Sequence, residues 1–516
     1  MVKIGIICLL FFSVIAYGQK KKKKNQQIIE VESRINQSQR FEIEVGLYDK
    51  PYDVINGHEH GVLLVRDTGE RDRKGNPKFE MISLDTGLYV RWKKEYYINR
   101  WWVYRGYDYH NGAFYLLFKY SKGNSRDLKV LELNLINGDT THHTIKNLIP
   151  IQLTEFEMTP GAALLGGYFS NNPFVIHYNL ETHKSIVLPG IYQNKTELVQ
   201  ILVDDKKKSF VVVVSEKTFD KRNTIAVKTY DFAGNLIGNT SLEPDFDKGL
   251  IYGRAAEINL DVNLVAGTYS GKKSQYSRGL FIAAIDPQGN QKINYYNYGD
   301  LDNFFNYMKA KKQARIENKI QRKKINGKKV KFNYRLLVHD IIDHGDQYIM
   351  LGEAFYPKYN TSSSFVSAAP YLGPGAYGSY FAGYRYTHAV VIGFDKKGNV
   401  LWDNSFEIED VLSYTLDQFV HVEIRGEDVV LLYLYENEIR SKIIRGNDVV
   451  EGKSFDPIRL TFEDDILKDN NSEISGLESW FGNTFIAYGT QSIKNMKDHG
   501  VKLNRRVFYL NKINYK

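Results

Sequence analysis

The stretch GFDKKGNVLWDNS, from Gly393 to Ser405, reads as a strand, a tight turn and a second strand. Asp395 and the Gly398-Asn399 pair make the turn, because glycine and asparagine accept the positive φ that tight hairpins need. Weaker echoes stand at YDFAGNLIGNT (Tyr230 to Thr240) and AIDPQGNQKIN (Ala284 to Asn294). One hairpin written three times points to a repeated unit.

Working outward, each unit holds one strand that is more apolar than its neighbours. These strands are GVLLVRD (from Gly61), GAFYLLFKY (Gly112), GAALLGGYF (Gly161) and KSFVVVVSE (Lys208). The series continues with VNLVAGTYS (Val262), DQYIMLGEAFY (Asp346), EDVVLLYLYE (Glu427) and NTFIAYGTQ (Asn483). Most spacings are about 50 residues. The same order recurs around each: a strand, a short turn, the apolar strand, a third strand, and a more polar outer strand. Runs that are short, β-branched or aromatic and separated by turn residues are strands. A period near 50 with several strands per unit predicts an all-β β-propeller. A sandwich would not easily hold that period over eight units.

Eight blades are expected. Seven is the alternative count, because GNDVVEGKSF (Gly446 to Phe455) is poorly patterned. The last unit lacks an outer strand after RVFYLNKIN (Arg506 to Asn514), and IIEVES (Ile28 to Ser33) is the spare strand expected to close the ring. Closure would remove both exposed sheet edges.

The front end predicts export. A basic start at Met1 to Lys3, an apolar run from Ile4 to Ile15 and small residues at Ala16 and Gly18 form a signal peptide, residues 1–18. The only cysteine, Cys8, lies inside the apolar run, so the mature chain would hold no disulfide. A Lys-rich leader follows at 19–27, with Lys20 to Lys24 as a solvated run or an electrostatic tether to an anionic surface. Residues 28–516 form a single propeller domain. The net charge of +9 falls to near +8 once Lys3 is removed. No later run is long and apolar enough for a membrane helix. Richness in Lys, Asn, Ile and Tyr suits an AT-rich bacterial genome, which gives a periplasmic expectation: soluble or peripherally held at the outer membrane, with the cell surface less favoured.

Two spacings exceed the period by about 30 residues, and added loops are where binding concentrates. The first insertion, at about 301–331, is LDNFFNYMKAKKQARIENKIQRKKINGKKVK. Asp302 and Asn303 are expected helix N-caps, and Phe305, Met308, Ile316 and Ile320 fall on one face. Eleven cations from Lys309 to Lys331 stand against Glu317. That helix is either solvated surface or a footprint for an anionic partner, with Lys319, Arg322, Lys323 and Lys324 as candidate contacts. Acidic protein surfaces, anionic lipid or lipopolysaccharide suit it better than nucleic acid, since no nucleic-acid motif accompanies the charge.

The second insertion, at about 356–386, is YPKYNTSSSFVSAAPYLGPGAYGSYFAGYRY. Tyrosines on small-residue spacers make adaptable contact surfaces. Tyr371, Tyr377, Tyr380, Phe381, Tyr384 and Tyr386 are the candidate contacts of a partner- or glycan-binding loop. A tether without a partner and a plug over the central opening are the alternatives.

Other chemistry is thinly signalled. His58 and His60 would share one side of a strand, but no third ligand is near in sequence. His142 and His143 would point apart, and His339, Asp340, Asp343 and His344 flank a turn that they would cap. GxSxG, HExxH, P-loop and DxDxDG patterns are absent from the sequence, and no cofactor or metal is expected. Asp464-Asp465 and Glu407/Glu409 are paired acids with nothing in the sequence to set a catalytic separation.

At NYRLLVHDII (Asn333 to Ile342), YIMLGEAFYPKY (Tyr348 to Tyr359) and GYRYTHAVVIGFDKKGNVLWDNSFEI (Gly383 to Ile408), the chain resembles uncharacterised exported β-propeller proteins of Bacteroidota. The resemblance covers roughly residues 295–415 and carries no catalytic residues. It implies an envelope protein, an accessory of an outer-membrane assembly, secretion or uptake machine. The expected function is therefore a non-catalytic scaffold with envelope protein partners. The alternative is a glycan-binding or glycan-cleaving propeller, which would show carboxylates and aromatics converging at the central opening.

Overall fold

The eight apolar strands are apolar throughout because both of their faces are covered. In Ser209–Lys217, Val211 and Val213 pack with Leu250, Val265 and Phe281 of the following sheet, while Val212 and Val214 pack with Leu164 and Val175 of the preceding one. The computed structural model describes residues 35–515 apart from 148, 257–262, 273, 287, 362–378, 469–474 and 498–500. In those residues the chain forms eight antiparallel sheets, and eight hydrophobic clusters each join two neighbouring sheets. One cluster joins Val54, Val62 and Leu64 of the first sheet to Ile486, Phe508 and Leu510 of the last, so the series closes on itself. This is an eight-bladed β-propeller.

Blades 1 to 7 occupy 53–97, 102–145, 152–187, 197–241, 248–297, 335–407 and 421–457. Blade 8 combines 465–515 with Ile35–Glu44. Every apolar strand picked out by the repeat is the second strand of its blade. GNDVVEGKSF is the outermost strand of blade 7, Asp448–Pro457, which rules out the seven-blade count. An outermost strand has one edge and much of one face in water, so its pattern is weak.

The same physics displaces the closing strand. Ile35–Glu44 pairs antiparallel with Asn504–Tyr515, from Ile35 opposite Tyr515 to Glu44 opposite Val507. Its sequence, INQSQRFEIE, is too polar to be noticed as a core strand, and Ile28–Ser33 lies outside the described residues. The residues read as signal peptide and leader lie outside them too. Polar side chains lock the seam. Arg505 makes a bidentate pair with Asp465 (2.9 and 2.7 Å) and its Nε donates to Glu42 (3.0 Å). Arg40 donates to Gln491 and Asn511, both at 2.9 Å.

The Gly-Asn hairpins share one mechanism. Asp395 Oδ1 accepts the amides of Lys397 (2.9 Å) and Asn399 (2.8 Å), and Oδ2 accepts the Asn399 side-chain amide (2.9 Å). Gly398 sits at φ +78°, where a side chain would be strained. Asp231 with Asn235 and Asp286 with Asn290 repeat these bonds. A fourth copy, Asp72 with Asn76, joins the second and third strands of blade 1.

Antiparallel meanders dictate which loops share a face. Turns between second and third strands, and connectors between blades, emerge on one face of the ring. Both insertions are of those kinds and belong to adjacent positions: the connector from blade 5 to blade 6, and the second hairpin of blade 6.

Candidate functional site

The Tyr/Gly-rich insertion is strand at its flanks rather than loop. Gln347–Thr361 and Ser379–Asp395 stay paired out to Thr361 opposite Ser379, beyond the end of the blade. Leu412 and Ser413, in the next connector, add against Arg385 and Tyr384. Tyr371 and Tyr377 lie outside the described residues. Tyr380 is a strand residue opposite Asn360. Phe381 is exposed, and its ring meets Tyr359 (5.8 Å) and the half-buried Tyr384 (5.0 Å) edge-on.

Tyr386 does not belong to the contact surface. It is 1% exposed, packs on Phe419 (4.7 Å) and donates its hydroxyl to the Asp417 carbonyl (2.8 Å). The register shift between Ala354 and Phe355 marks where the blade core begins, and Tyr386 lies at that level. Tyr356, Tyr359 and Phe381 remain exposed on the hairpin, with Leu412, Tyr414 and Leu416 exposed on the adjoining connector.

The basic insertion contains a helix, α1, Ala310–Ile325. Its N-cap is Lys309, not Asp302 or Asn303. Those two residues instead donate their amides to the Asp403 carboxylate, both at 2.8 Å, which fastens the insertion to the outer strand of blade 6. Phe304 and Phe305 are buried between blades 5 and 6, and Met308, Ile316 and Ile320 pack against the same cluster. Lys319 and Lys323 overhang a groove between the helix and blade 5. Arg322 lies on the neighbouring helix surface, and Lys324 pairs with Asp300 at 3.6 Å.

The sequence pointed to the central opening as a candidate glycan site but did not identify the acids that line it. First strands of neighbouring blades approach one another and surround it. Acids from several blades converge there. Asp108 accepts the amides of Met158 (2.7 Å) and Tyr109 (2.8 Å), and burial pushes its carboxyl up to about 6. Burial, then repulsion from Asp108, Glu155 and Asp340, pushes Glu157 up to about 9. Asp340 does not cap its own turn. It accepts from Gln200 (3.0 Å) and pairs with Arg254 (3.2 Å), so residues of blades 4, 5 and 6 meet. A second group joins blades 8, 1 and 2. Tyr488 donates to Glu478 (2.8 Å), Tyr104 lies beside Asp53, and burial raises both carboxyls. Tyr107 faces Glu478 and Asp53. Carboxyls beside phenols offer acceptors and donors together to hydroxyl groups. The available signal was Glu155-x-Glu157 in a first strand, where alternation puts both on one side.

The remaining sequence candidates are structural. Asp465 serves Arg505, and Glu407 and Glu409 share Lys453 (3.8 and 2.7 Å). His58 and His60 lie in a 3-10 turn, not a strand, with ring nitrogens on the Trp480 carbonyl and the Tyr109 hydroxyl. His143 meets Glu132 (3.2 Å), and His339 meets the fully buried Glu353 (2.8 Å). Among the described residues, no three His, Cys, Asp or Glu side chains gather as a metal site.

No protein-family model matches the chain, and no curated protein does. Solved structures with a similar course include the β-propeller domain of the Trilobed protease from Pyrococcus furiosus, at 10% identity and TM-score 0.37, covering 79% of this chain and 93% of that one. Polysaccharide lyase Uly1 is similar at 8% identity and TM-score 0.39, covering 80% and 90%. Prolyl oligopeptidase B from Galerina marginata is similar at 6% identity and TM-score 0.38, covering 86% and 54%. Likenesses this distant leave activity and substrate unassigned.

Proposed function

We propose that this chain is a non-catalytic binding propeller, an adaptor of the bacterial cell envelope that grips a protein partner through its insertion-bearing face. The supporting observation is the extended hairpin of blade 6. It holds the exposed Tyr359 and Phe381 rings edge-on to each other, and the connector strand paired to the same hairpin exposes Leu412 and leads into the exposed Tyr414. Contiguous exposed apolar surface on a folded domain is characteristic of interaction sites. Periplasmic placement at the outer membrane rests on the N-terminal signal pattern and the family resemblance. The test is affinity purification from solubilised envelope with the parent chain and a Tyr359→Ala/Phe381→Ala/Tyr414→Ala variant. A partner enriched by the parent and lost by the variant, at unchanged melting temperature, supports the reading. Equal recovery by both refutes it.

A second reading is favoured by the acids and tyrosines at the opening, the arrangement expected of a glycan binder. Asp53, Tyr107 and Glu478 would hold sugar hydroxyls. Retention on immobilised envelope polysaccharide, lost on Asp53→Asn/Glu478→Gln, supports this reading; no retention by the parent chain removes it.

A further inference from the structure

Helix α1 carries exposed lysines on the flank next to its packed side. Ile316 and Ile320 pack against the core between blades 5 and 6, and Lys319 and Lys323, three residues after each, border that packed stripe. A merely solvated helix keeps its lysines on the opposite side. Here both overhang a groove of about 850 Å³, whose far wall is the blade 5 hairpin around Gly271 and Arg278. Lys328 and Lys331, on the segment returning from the helix, complete the lining, and Tyr269 and Tyr295 are its aromatic part.

Positive charge dominates this groove: Asp247 is the one carboxylate in its lining, and it attracts Arg278 as well as Lys248. Lys248 is neutralised by Asp245 (2.6 Å) and Asp247 (3.1 Å), and Lys329 by Asp300 (3.0 Å). Lys319, Lys323, Lys328, Lys331 and Arg278 have no carboxylate in ion-pair range among the described residues. Lys319, Lys323, Lys328 and Lys331 repel one another across one concavity, and a bound multivalent anion relieves that repulsion. The volume suits a compact ligand of small-molecule size.

We infer that the groove is a binding site for a ligand carrying two or more phosphate groups. Lysine ammoniums supply point charges for phosphate oxygens, and Arg278 adds a planar fork suited to bidentate contact. The inference is independent of the partner reading, since none of these residues lies on the blade 6 hairpin. The phosphates can belong to a soluble ligand or to a lipid headgroup.

The test is calorimetric titration of the full chain with inorganic tripolyphosphate, in parallel with co-sedimentation on vesicles containing a bisphosphorylated lipid. The variants are Lys319→Gln/Lys323→Gln and, as control, Lys311→Gln/Lys312→Gln, which removes equal charge from the same helix outside the groove. The expected result is at least a tenfold loss of affinity in the first variant and less than twofold in the control, with both melting like the parent. That pattern with tripolyphosphate identifies a soluble ligand; the pattern with vesicles alone identifies a headgroup. Equal losses in both variants, or no binding of either probe, would overturn the inference.

Discussion

Tyr307 stacks face to face on His388, ring centroids 3.6 Å apart and planes within 5° of parallel. His388 is fully buried on the third strand of blade 6, with Phe304 and Tyr334 edge-on around it at 5.3 and 5.7 Å. This contact makes the basic insertion an integral part of the core between blades 5 and 6, although its helix is exposed. Its charge is thereby presented from a fixed position.

Burial pushes the His388 imidazole down to about 3 from 6.5. As pH falls below 6.5 the unfolded chain takes up the proton first, so stability present above 6.5 is lost progressively toward 3. His421, pushed down to about 4 by burial and then by His339, acts in the same sense. Urea midpoints at pH 7.5 and 5 should converge in His388→Phe relative to the parent. An unchanged gap between the two midpoints would assign the acid sensitivity elsewhere.

Glu157 predicts the opposite slope. Its folded-state carboxyl titrates at about 9 rather than 4.5, so its contribution is full below 4.5 and declines as pH rises toward 9. Glu157→Gln should therefore flatten the fall in melting temperature between pH 5.5 and 8.5. A variant that falls as steeply as the parent would show that the acids at the opening do not set this dependence.

Ring closure can be tested at the seam without deleting a strand. Asp465→Asn breaks the buried bidentate pair with Arg505 and should cost about 3 kcal/mol. Lys502→Ala removes an exposed ion pair with Glu44 and should cost under about 1 kcal/mol. Comparable losses in chemical denaturation would mean that the seam is not where stability is concentrated.

The hairpin aromatics should divide by burial. Tyr386→Ala should lower stability by about 4 kcal/mol, as truncation of a packed aromatic does. Phe381→Ala should leave unfolding within about 0.5 kcal/mol and act on partner recovery alone. Similar stability losses for the two would place Phe381 in the core as well.

Gly398 should tolerate no side chain. At φ +78° a Cβ would lie 3.0 Å from Ile282, so Gly398→Ala should cost about 1–2 kcal/mol or more. Gly345→Ala, also at positive φ but in open space, should cost less. Melting curves of the two variants decide the order.

The blade count and the second strands were legible because a strand buried on both faces must be apolar along its length. The hairpin turns were legible because Asp, Gly and Asn act within five residues. Outermost strands such as Ile35–Glu44 and Asp448–Pro457 were not, since water on one side relaxes the choice of residue. The burial of Tyr386 is not legible in the sequence, because a tyrosine in a Tyr-rich run looks like its neighbours and only the register shows which ring turns inward.

Local sequence, then, determined the propeller, its period and the two positions where residues were added. Tertiary structure alone decided what converges. Asp108, Glu157, Arg254 and Asp340 come from four different blades, and no spacing along the chain encodes their meeting. Lys319 and Lys323 became the lining of a groove only when Ile316 and Ile320 fixed the helix's rotation against blades 5 and 6. A closed ring brings first strands together around one opening irrespective of their separation in sequence, and that geometry is a property of the whole chain.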